Sequence, residues 1–493
     1  MGVIQKETIK GSTWSYVGAL LGFINTGLLF PKIFSTSEIG LLSVLVAISA
    51  LFSQFSSLGM NSVTARLFPY FNHTKKERTG YFTLLVLVTT IGFLVSFLVG
   101  LLFKDWIIES KTDESGLLVK YAFYLIPMTI FTLYFNALDV YNKMLYDITS
   151  GIFYKEFLLR VLNFISIGLY FFGVINFDVF VFLYVLSYFI PLAGLFIVLL
   201  IRKEFAFHWK FDLLSKAMKR ELFLVALFGI LAGFSGIIID YLDKYLVGKY
   251  LGLSDAGVYT TVFYIATMIL LPSRALNKIS STLIAESWKK NDLATIKTIY
   301  TKSSINQFVF GLFLFVLILT NLHNIFQFLP SQYSHGKMVL IIIGFSNMII
   351  MLSGVSYSII STAKYYWYMS ALMMVQMVLI IVTNILLIPL IGMTGAAVAS
   401  FISVSVIRIG SVIIIGFKSR IWPFRLNHLY SVIITLVAFL SVWFIPQISN
   451  FYIDSMVRSS IVVLVFMALV KVLNISDEFD STYKKIKGLL PSK

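Results

Sequence analysis

This sequence predicts an all-α polytopic membrane protein with about 14 transmembrane helices: two pseudo-symmetric six-helix bundles around a central cavity, followed by two C-terminal helices. Three observations carry that prediction. The 493 residues are 58% hydrophobic and 13% charged, with a mean hydropathy of +0.89, a balance no soluble domain carries without a very large exposed apolar surface. Apolar runs of about 20 residues, the helix length that crosses a hydrocarbon core of about 30 Å, recur from end to end. A short pattern also occurs twice with the same internal spacing: Lys32 followed by Ser37-Glu38-Ile39-Gly40-Leu41, and Lys249 followed by Ser254-Asp255-Ala256-Gly257-Val258. Each copy closes the first hydrophobic stretch of one of two similar halves.

Lipid offers no hydrogen bonds to bare backbone, and the apolar runs lack the alternation of a barrel strand, so each run is read as a helix. In order they fall near 12–31, 39–63, 80–103, 117–138, 157–173, 178–201, 222–247, 256–276, 305–329, 338–360, 368–389, 395–416, 431–445 and 459–471. The eighth is interrupted near its end by Pro272 and Arg274. The duplication divides the chain into an N-terminal bundle (1–215), a C-terminal bundle (216–425) and two extra spans with a tail (426–493). Six spans per half is an even number, so both halves insert with the same orientation about an axis along the membrane normal.

Charge gives an independent test of topology, because cytoplasmic loops hold the excess of Lys and Arg. With both termini cytoplasmic, most of the 39 basic residues fall on inside segments, notably Arg66–Arg78, Arg202–Arg220 and Lys278–Lys302. The outside loop from Lys104 to Gly116 carries Asp105, Glu109, Asp113 and Glu114. The net charge of +16 is then loop charge facing anionic lipid head groups. It is not a nucleic-acid surface, since no basic stretch interleaved with aromatics sits on a soluble domain. The first span is expected to act as a retained signal anchor.

Several chemistries find no residues. There is no Cys, hence no disulfide or thiolate metal site. No Gly-rich phosphate loop ends in Gly-Lys-Ser/Thr. His73, His208, His323, His335 and His428 fall in loops or at span ends without an i, i+4 partner, and are read as solvated surface. No loop is long enough for a catalytic domain, so the chain is expected to be a transporter and not an enzyme, with no bound cofactor.

The polar residues within the spans carry that expectation, because a charge at a helix centre costs about 2.5–3.5 kcal/mol on insertion scales and usually faces a cavity or a partner. Arg160 in the fifth span, Lys244 in the seventh and Arg408 in the twelfth are candidate substrate contacts, with Arg66 and Arg274 at the inner ends of the second and eighth. Arg66, Arg274 and Arg160 are close enough to a surface for snorkelling to remain an alternative. Asn25 and Asn61 are further cavity candidates, Asn61 standing in a polar stripe with Ser53 and Ser57 that interhelical hydrogen bonding explains equally well. Asp240 and Asp243 share a helix face with Lys244; they are either ion-coupling carboxylates or members of an internal ion-pair network. Gly18-x-x-x-Gly22 and Gly229-x-x-x-Gly233 are read as close helix packing.

Lys10-Gly11-Ser12, Phe30-Pro31 with Glu38-Ile39-Gly40, Leu58-Gly59-Met60-Asn61 leading to Arg66, Asp243-Lys244 with Gly248 and Gly257-Val258-Tyr259, and Asn384-Ile385 with Ile388-Pro389, Gly392 and Gly395-Ala396-Ala397 together resemble the Wzx-type polysaccharide flippases of the multidrug/oligosaccharidyl-lipid/polysaccharide (MOP) exporter superfamily. The resemblance covers nearly the whole chain through motifs that are individually loose. It implies two six-helix bundles with two extra helices in a bacterial cytoplasmic membrane. The implied activity is transfer of undecaprenyl-pyrophosphate-linked oligosaccharide repeats, such as O-antigen or capsule units, from the inner to the outer leaflet by alternating access. A proton or sodium gradient, or the membrane potential, is the implied drive. Membrane lipids, a polysaccharide polymerase and chain-length proteins are the implied partners. Two relatives compete. Lipid II flippases of the MurJ type carry basic residues within the first span, where this chain has none before Lys32; multidrug exporters of the MATE type favour a carboxylate-dominated cavity, at odds with Arg160, Lys244 and Arg408.

Overall fold

The structure, a computed structural model, describes residues 3–72, 74–108, 116–206 and 216–475. Glu109, Asp113, Glu114, His73 and His208 lie outside these residues, as do the side chains of Arg274 and Lys278. Every regular element described is helical. In chain order the main helices are α1 (Lys10–Ile33), α2 (Thr36–Ser56), α3 (Met60–Leu67), α4 (Lys75–Leu102), α5 (Leu117–Met144), α6 (149–171), α7 (Phe177–Ile201) and α8 (Lys216–Leu251). They continue as α9 (Leu253–Thr267), α10 (Leu271–Lys289), α11 (Leu293–Thr320), α12 (Lys337–Leu352), α13 (Ser356–Thr362), α14 (Trp367–Ile391), α15 (Met393–Ser419), α16 (Leu426–Trp443) and α17 (Phe451–Val472).

Among the described residues 13 helices are long and apolar enough to cross a membrane, which makes this a multi-pass membrane protein. They match the expected spans in number and order except the fifth. That span is helical, but its helix α6 begins earlier and includes Lys155 and Glu156 beside Arg160, so it is too charged to count with the others. The second span also differs. It ends at Ser56, where Leu58 (φ 45°) and Gly59 (φ 75°) take left-handed backbone and the chain restarts as α3. Gly59 is required twice over, since a Cβ there would lie 2.1 Å from the Ala226 carbonyl oxygen.

Helix starts are written into the sequence. Ser35 Oγ accepts from the Glu38 amide while Glu38 Oε2 accepts from the Ser35 amide at 2.8 Å, a capping box that opens α2. Thr74 and Glu77 open α4 in the same way. Asn176 caps α7, Asp292 caps α11 and Asn450 caps α17.

Packing divides the chain into two compact units, Met1–Thr261 with Ile380–Ala396, and Val262–Leu379 with Ala397–Lys493. This division follows packing, whereas the expected boundary at 215/216 follows the internal repeat. In the first unit the two copies of the repeated pattern lie against each other where α2 and α9 cross. A Cβ on Gly40 would fall 1.8 Å from the Leu253 carbonyl oxygen, and one on Gly257 would fall 1.9 Å from that of Thr36. Paired hydroxyls flank the crossing: Thr36 with Ser254 at 2.7 Å, and Ser43 with Thr260, 217 residues away, at 2.6 Å. Gly229 and Gly233 on α8 meet Ser62 and Gln54, and Gly18 on α1 meets the Glu156 carbonyl, the close helix packing expected of these small residues. Ser53 and Ser57 donate to the carbonyls of Ala50 and Gln54 in their own helix, so that stripe is satisfied locally.

In the second unit α11 lies against α16 and α17, burying Val309, Val316, Ala438 and Phe466. His428, expected at the surface, is buried: its Nδ1 accepts from the Arg425 amide at 3.1 Å and its Nε2 lies 3.0 Å from Ser304 Oγ. The ring thus closes the first turn of α16 onto α11. His323 and His335 are exposed.

Candidate functional site

The first unit contains a cavity of 220 Å³ whose polar wall is formed by α6. The helix reaches that position through an irregularity. Residues Phe153–Leu158 form a π-helical segment, and a second one, Phe23–Leu29, lies in α1. Such widened turns are rare and concentrate at functional sites. The two helices are joined there by Asn25, buried on α1, whose Nδ2 donates to the Arg160 carbonyl at 2.8 Å. Gly18 lets α1 approach α6 closely, and Trp14 packs on Phe153 and Phe157 with ring centroids 4.9 and 4.7 Å away.

Charges on this wall are mostly paired. Arg160 Nη1 donates to both the carbonyl and the carboxylate of Glu156 at 2.5 Å. On α5, Lys143 binds Asp139 at 2.5 Å, and Asp139 sits against Gly151, where any Cβ would clash with its Oδ1. Lys155 differs. Its Nζ donates to Asn136 Oδ1 at 3.3 Å and lies 5.7 Å from the Phe135 ring centre, and the residue is solvent-exposed although it lines the cavity. Thr132, Tyr188 and Tyr241 add hydroxyls to the lining.

A second polar node lies on α8. Asp243 is buried and accepts from Tyr259 Oη at 2.8 Å and from Asn384 Nδ2 at 2.7 Å. Asn384 Nδ2 also donates to the Ile380 carbonyl, while its own Oδ1 is buried with no hydrogen-bond donor. One turn along, Asp240 is exposed, and Lys244 Nζ stands 5.3 Å from the Tyr241 ring centre. In the second unit Arg408 is half-buried on α15 beside Tyr357, and no carboxylate lies within ion-pair distance of it among the described residues.

The structure therefore brings Asn25 to Arg160, and Asp240 to Lys244 along one helix face. Arg66 is exposed on the short helix α3, and Asn61 is half-buried there. Apolar periodicity begins the fifth span at residue 157 and reads Lys155 and Glu156 as loop, and Asn136 is a lone polar residue near the end of the fourth span, so none of the three stands out in the sequence as a site residue. Their density of charge ahead of Arg160 was the available signal. Tyr259 and Asn384 were seen only as parts of motifs, without the buried bonds to Asp243 that give them a role.

Comparison with known proteins adds the family. The family described as "Polysaccharide biosynthesis protein" matches residues 5–284, more than half of the chain. The chain belongs to this family. A search of curated proteins finds no match. Among solved structures this family member is similar to the lipid II flippase MurJ in its inward closed conformation, with 13% identity, a TM-score of 0.74, and coverage of 94% of this chain and 98% of that one. It is similar also to an inward-facing multidrug resistance MATE family transporter of the MOP superfamily, with 12% identity, a TM-score of 0.56, and coverage of 83% and 93%. A third is a MOP superfamily transporter from Pyrococcus furiosus whose binding pocket is described as reversed in polarity, with 13% identity, a TM-score of 0.53, and coverage of 83% and 94%. The fold is that of MOP superfamily transporters.

Proposed function

We propose that the protein is a flippase that moves undecaprenyl-pyrophosphate-linked oligosaccharide repeats from the inner to the outer leaflet of a bacterial cytoplasmic membrane, for surface polysaccharide synthesis. The observation that carries this reading is the cavity wall on α6, where an exposed lysine stands among hydroxyl and amide groups inside a membrane-spanning unit. An oligosaccharide head loses many water hydrogen bonds in lipid, each costing up to several kcal/mol, and a polar lining replaces them. The pyrophosphate supplies the negative charge that a cationic lining favours. Membership of a polysaccharide biosynthesis family and a transporter fold support the same reading. The protein makes and breaks no covalent bond in this scheme, and both termini face the cytoplasm.

Transport is driven by an ion gradient or the membrane potential. The buried Asp243 carboxylate, beside the undonated Asn384 Oδ1, is the group suited to hold a proton or a sodium ion. Ion flux in vesicles tests this: Asp243→Asn is expected to uncouple transport from the gradient, and unchanged coupling rejects the role.

The substrate reading is tested in cells. Deleting the gene is expected to abolish surface polysaccharide and to leave lipid-linked repeats in the cytoplasmic leaflet. Normal polysaccharide in the deletion strain rejects the reading.

A further inference from the structure

We infer that Lys155 and Asn136 form an anion subsite that takes a phosphate of the ligand, with Arg160 and Lys143 serving as wall. The inference rests on the flippase reading for the identity of the ligand, and on the geometry of the cavity for the site itself. Three cations and two carboxylates face one another on α5 and α6. Arg160 is held at 2.5 Å by Glu156, and Lys143 at 2.5 Å by Asp139. Lys155 has a neutral amide at 3.3 Å and an aromatic ring, and no carboxylate within ion-pair distance among the described residues. On the facing helix α8, Asp240 and Lys244 flank Tyr241 with one charge of each sign, and Asp243 is engaged by Tyr259 and Asn384. Of the three cations on α5 and α6, Lys155 is therefore the one outside an ion pair.

A cation that lines a cavity of a membrane-spanning unit without a carboxylate at ion-pair distance is suited to an anion that arrives. An ammonium is a compact charge with three donors, suited to a phosphate as a point contact. Asn136 fixes the approach: its Oδ1 receives one Lys155 proton, which orients the ammonium and leaves two donors for an oxyanion, while its amide nitrogen remains a donor to the same ligand. Lys155 lies within the π-helical segment of α6, an irregularity of the kind that concentrates at functional sites.

Binding to the purified full-length protein in nanodiscs tests the inference, with undecaprenyl diphosphate, uncharged undecaprenol and inorganic pyrophosphate as probes. Lys155→Gln is expected to weaken undecaprenyl diphosphate by at least about ten-fold. Undecaprenol binding should stay unchanged, and Lys155→Arg should restore most of the diphosphate affinity. Equal diphosphate affinity in wild type and Lys155→Gln overturns the subsite, as does parallel loss of undecaprenol, which marks a structural role. Failure of both phosphate probes to bind the wild type also overturns it. Lys155-dependent binding of inorganic pyrophosphate without undecaprenyl diphosphate upholds the subsite and counts against the lipid-linked reading. Translocation of a lipid-linked sugar at equal rate and affinity by wild type and Lys155→Gln does the reverse.

Discussion

Two regions, one in each unit, carry charge on long helices, and they handle it in opposite ways. Near the end of the second unit, Asp454 and Arg458 on α17 form a closed node. Arg458 Nε donates to Asp454 at 2.6 Å, and its Nη groups donate to the carbonyls of Val442 at 3.0 Å and Ile445 at 2.8 Å. Asp454 also accepts from Asn324 Nδ2 at 2.6 Å and from the Ile448 amide at 3.0 Å. The node fixes the turn between α16 and α17 and leaves no charge over. On α6 the pairing stops one short, and the exposed Lys155 lines a cavity. A charge that serves the fold has its hydrogen bonds completed by backbone, and one that serves a ligand is left with donors to offer.

Breaking the closed node should give the largest effect. Arg458→Ala removes the partner of a buried carboxylate and is expected to lower stability by about 3 kcal/mol, measured as thermal unfolding in detergent. Lys155→Gln in the same assay should stay within about 0.5 kcal/mol of wild type. Equal losses in the two variants would erase the distinction.

Next in size is the crossing of α2 and α9. Gly40→Ala or Gly257→Ala forces a Cβ into a backbone carbonyl and is expected to cost about 2 kcal/mol. A Ser43→Ala variant, which loses one exchangeable hydroxyl pair, should cost less, about 1 kcal/mol. A reversed order would contradict glycine contact as the main constraint.

For the cationic side chains the expected change is in transport. Lys244→Ala and Arg408→Ala should each reduce export of lipid-linked sugar by about ten-fold, near 1.4 kcal/mol, with normal amounts of protein in the membrane. Normal surface polysaccharide in both variants would dismiss them as substrate contacts.

The smallest effect concerns Asp292, half-buried at the start of α11, where the Thr295 hydroxyl and amide hold its carboxyl below the ordinary carboxylate range. A depressed folded-state value means that the cap's contribution is complete above the ordinary range and fades as pH falls through the lowered value. Amide exchange in the first turn of α11 should therefore rise only under strongly acid conditions. Asp292→Ala should show that faster exchange at neutral pH as well.

Span positions were legible because lipid demands about 20 apolar residues whatever their packing. What lies inside a span was less so. The early end of α2 depends on Leu58 and Gly59 in left-handed backbone, a conformation that hydropathy does not register. Lys155 is hidden from apolar periodicity because the π-helical segment carries charged residues into a helix whose apolar run begins later. His428 looked like a span-end surface residue, and its burial depends on Ser304, 124 positions earlier in the chain. The repeated Gly40 and Gly257 were conspicuous as a pattern, whereas their meeting at one crossing is a tertiary fact. Arg160 was found as a charge, but its engagement by Glu156 four residues away shows that a visible cation need not be an available one.

The central claim is tested most directly by translocation in proteoliposomes that contain only this protein and a fluorescent undecaprenyl-pyrophosphate-linked oligosaccharide, with the head group exposed on one leaflet at the start. The account predicts protein-dependent appearance of the sugar on the opposite leaflet, slowed in Lys155→Gln and preserved in Lys155→Arg. Transfer no faster than in empty liposomes, with the protein folded and an ion gradient imposed, would contradict it.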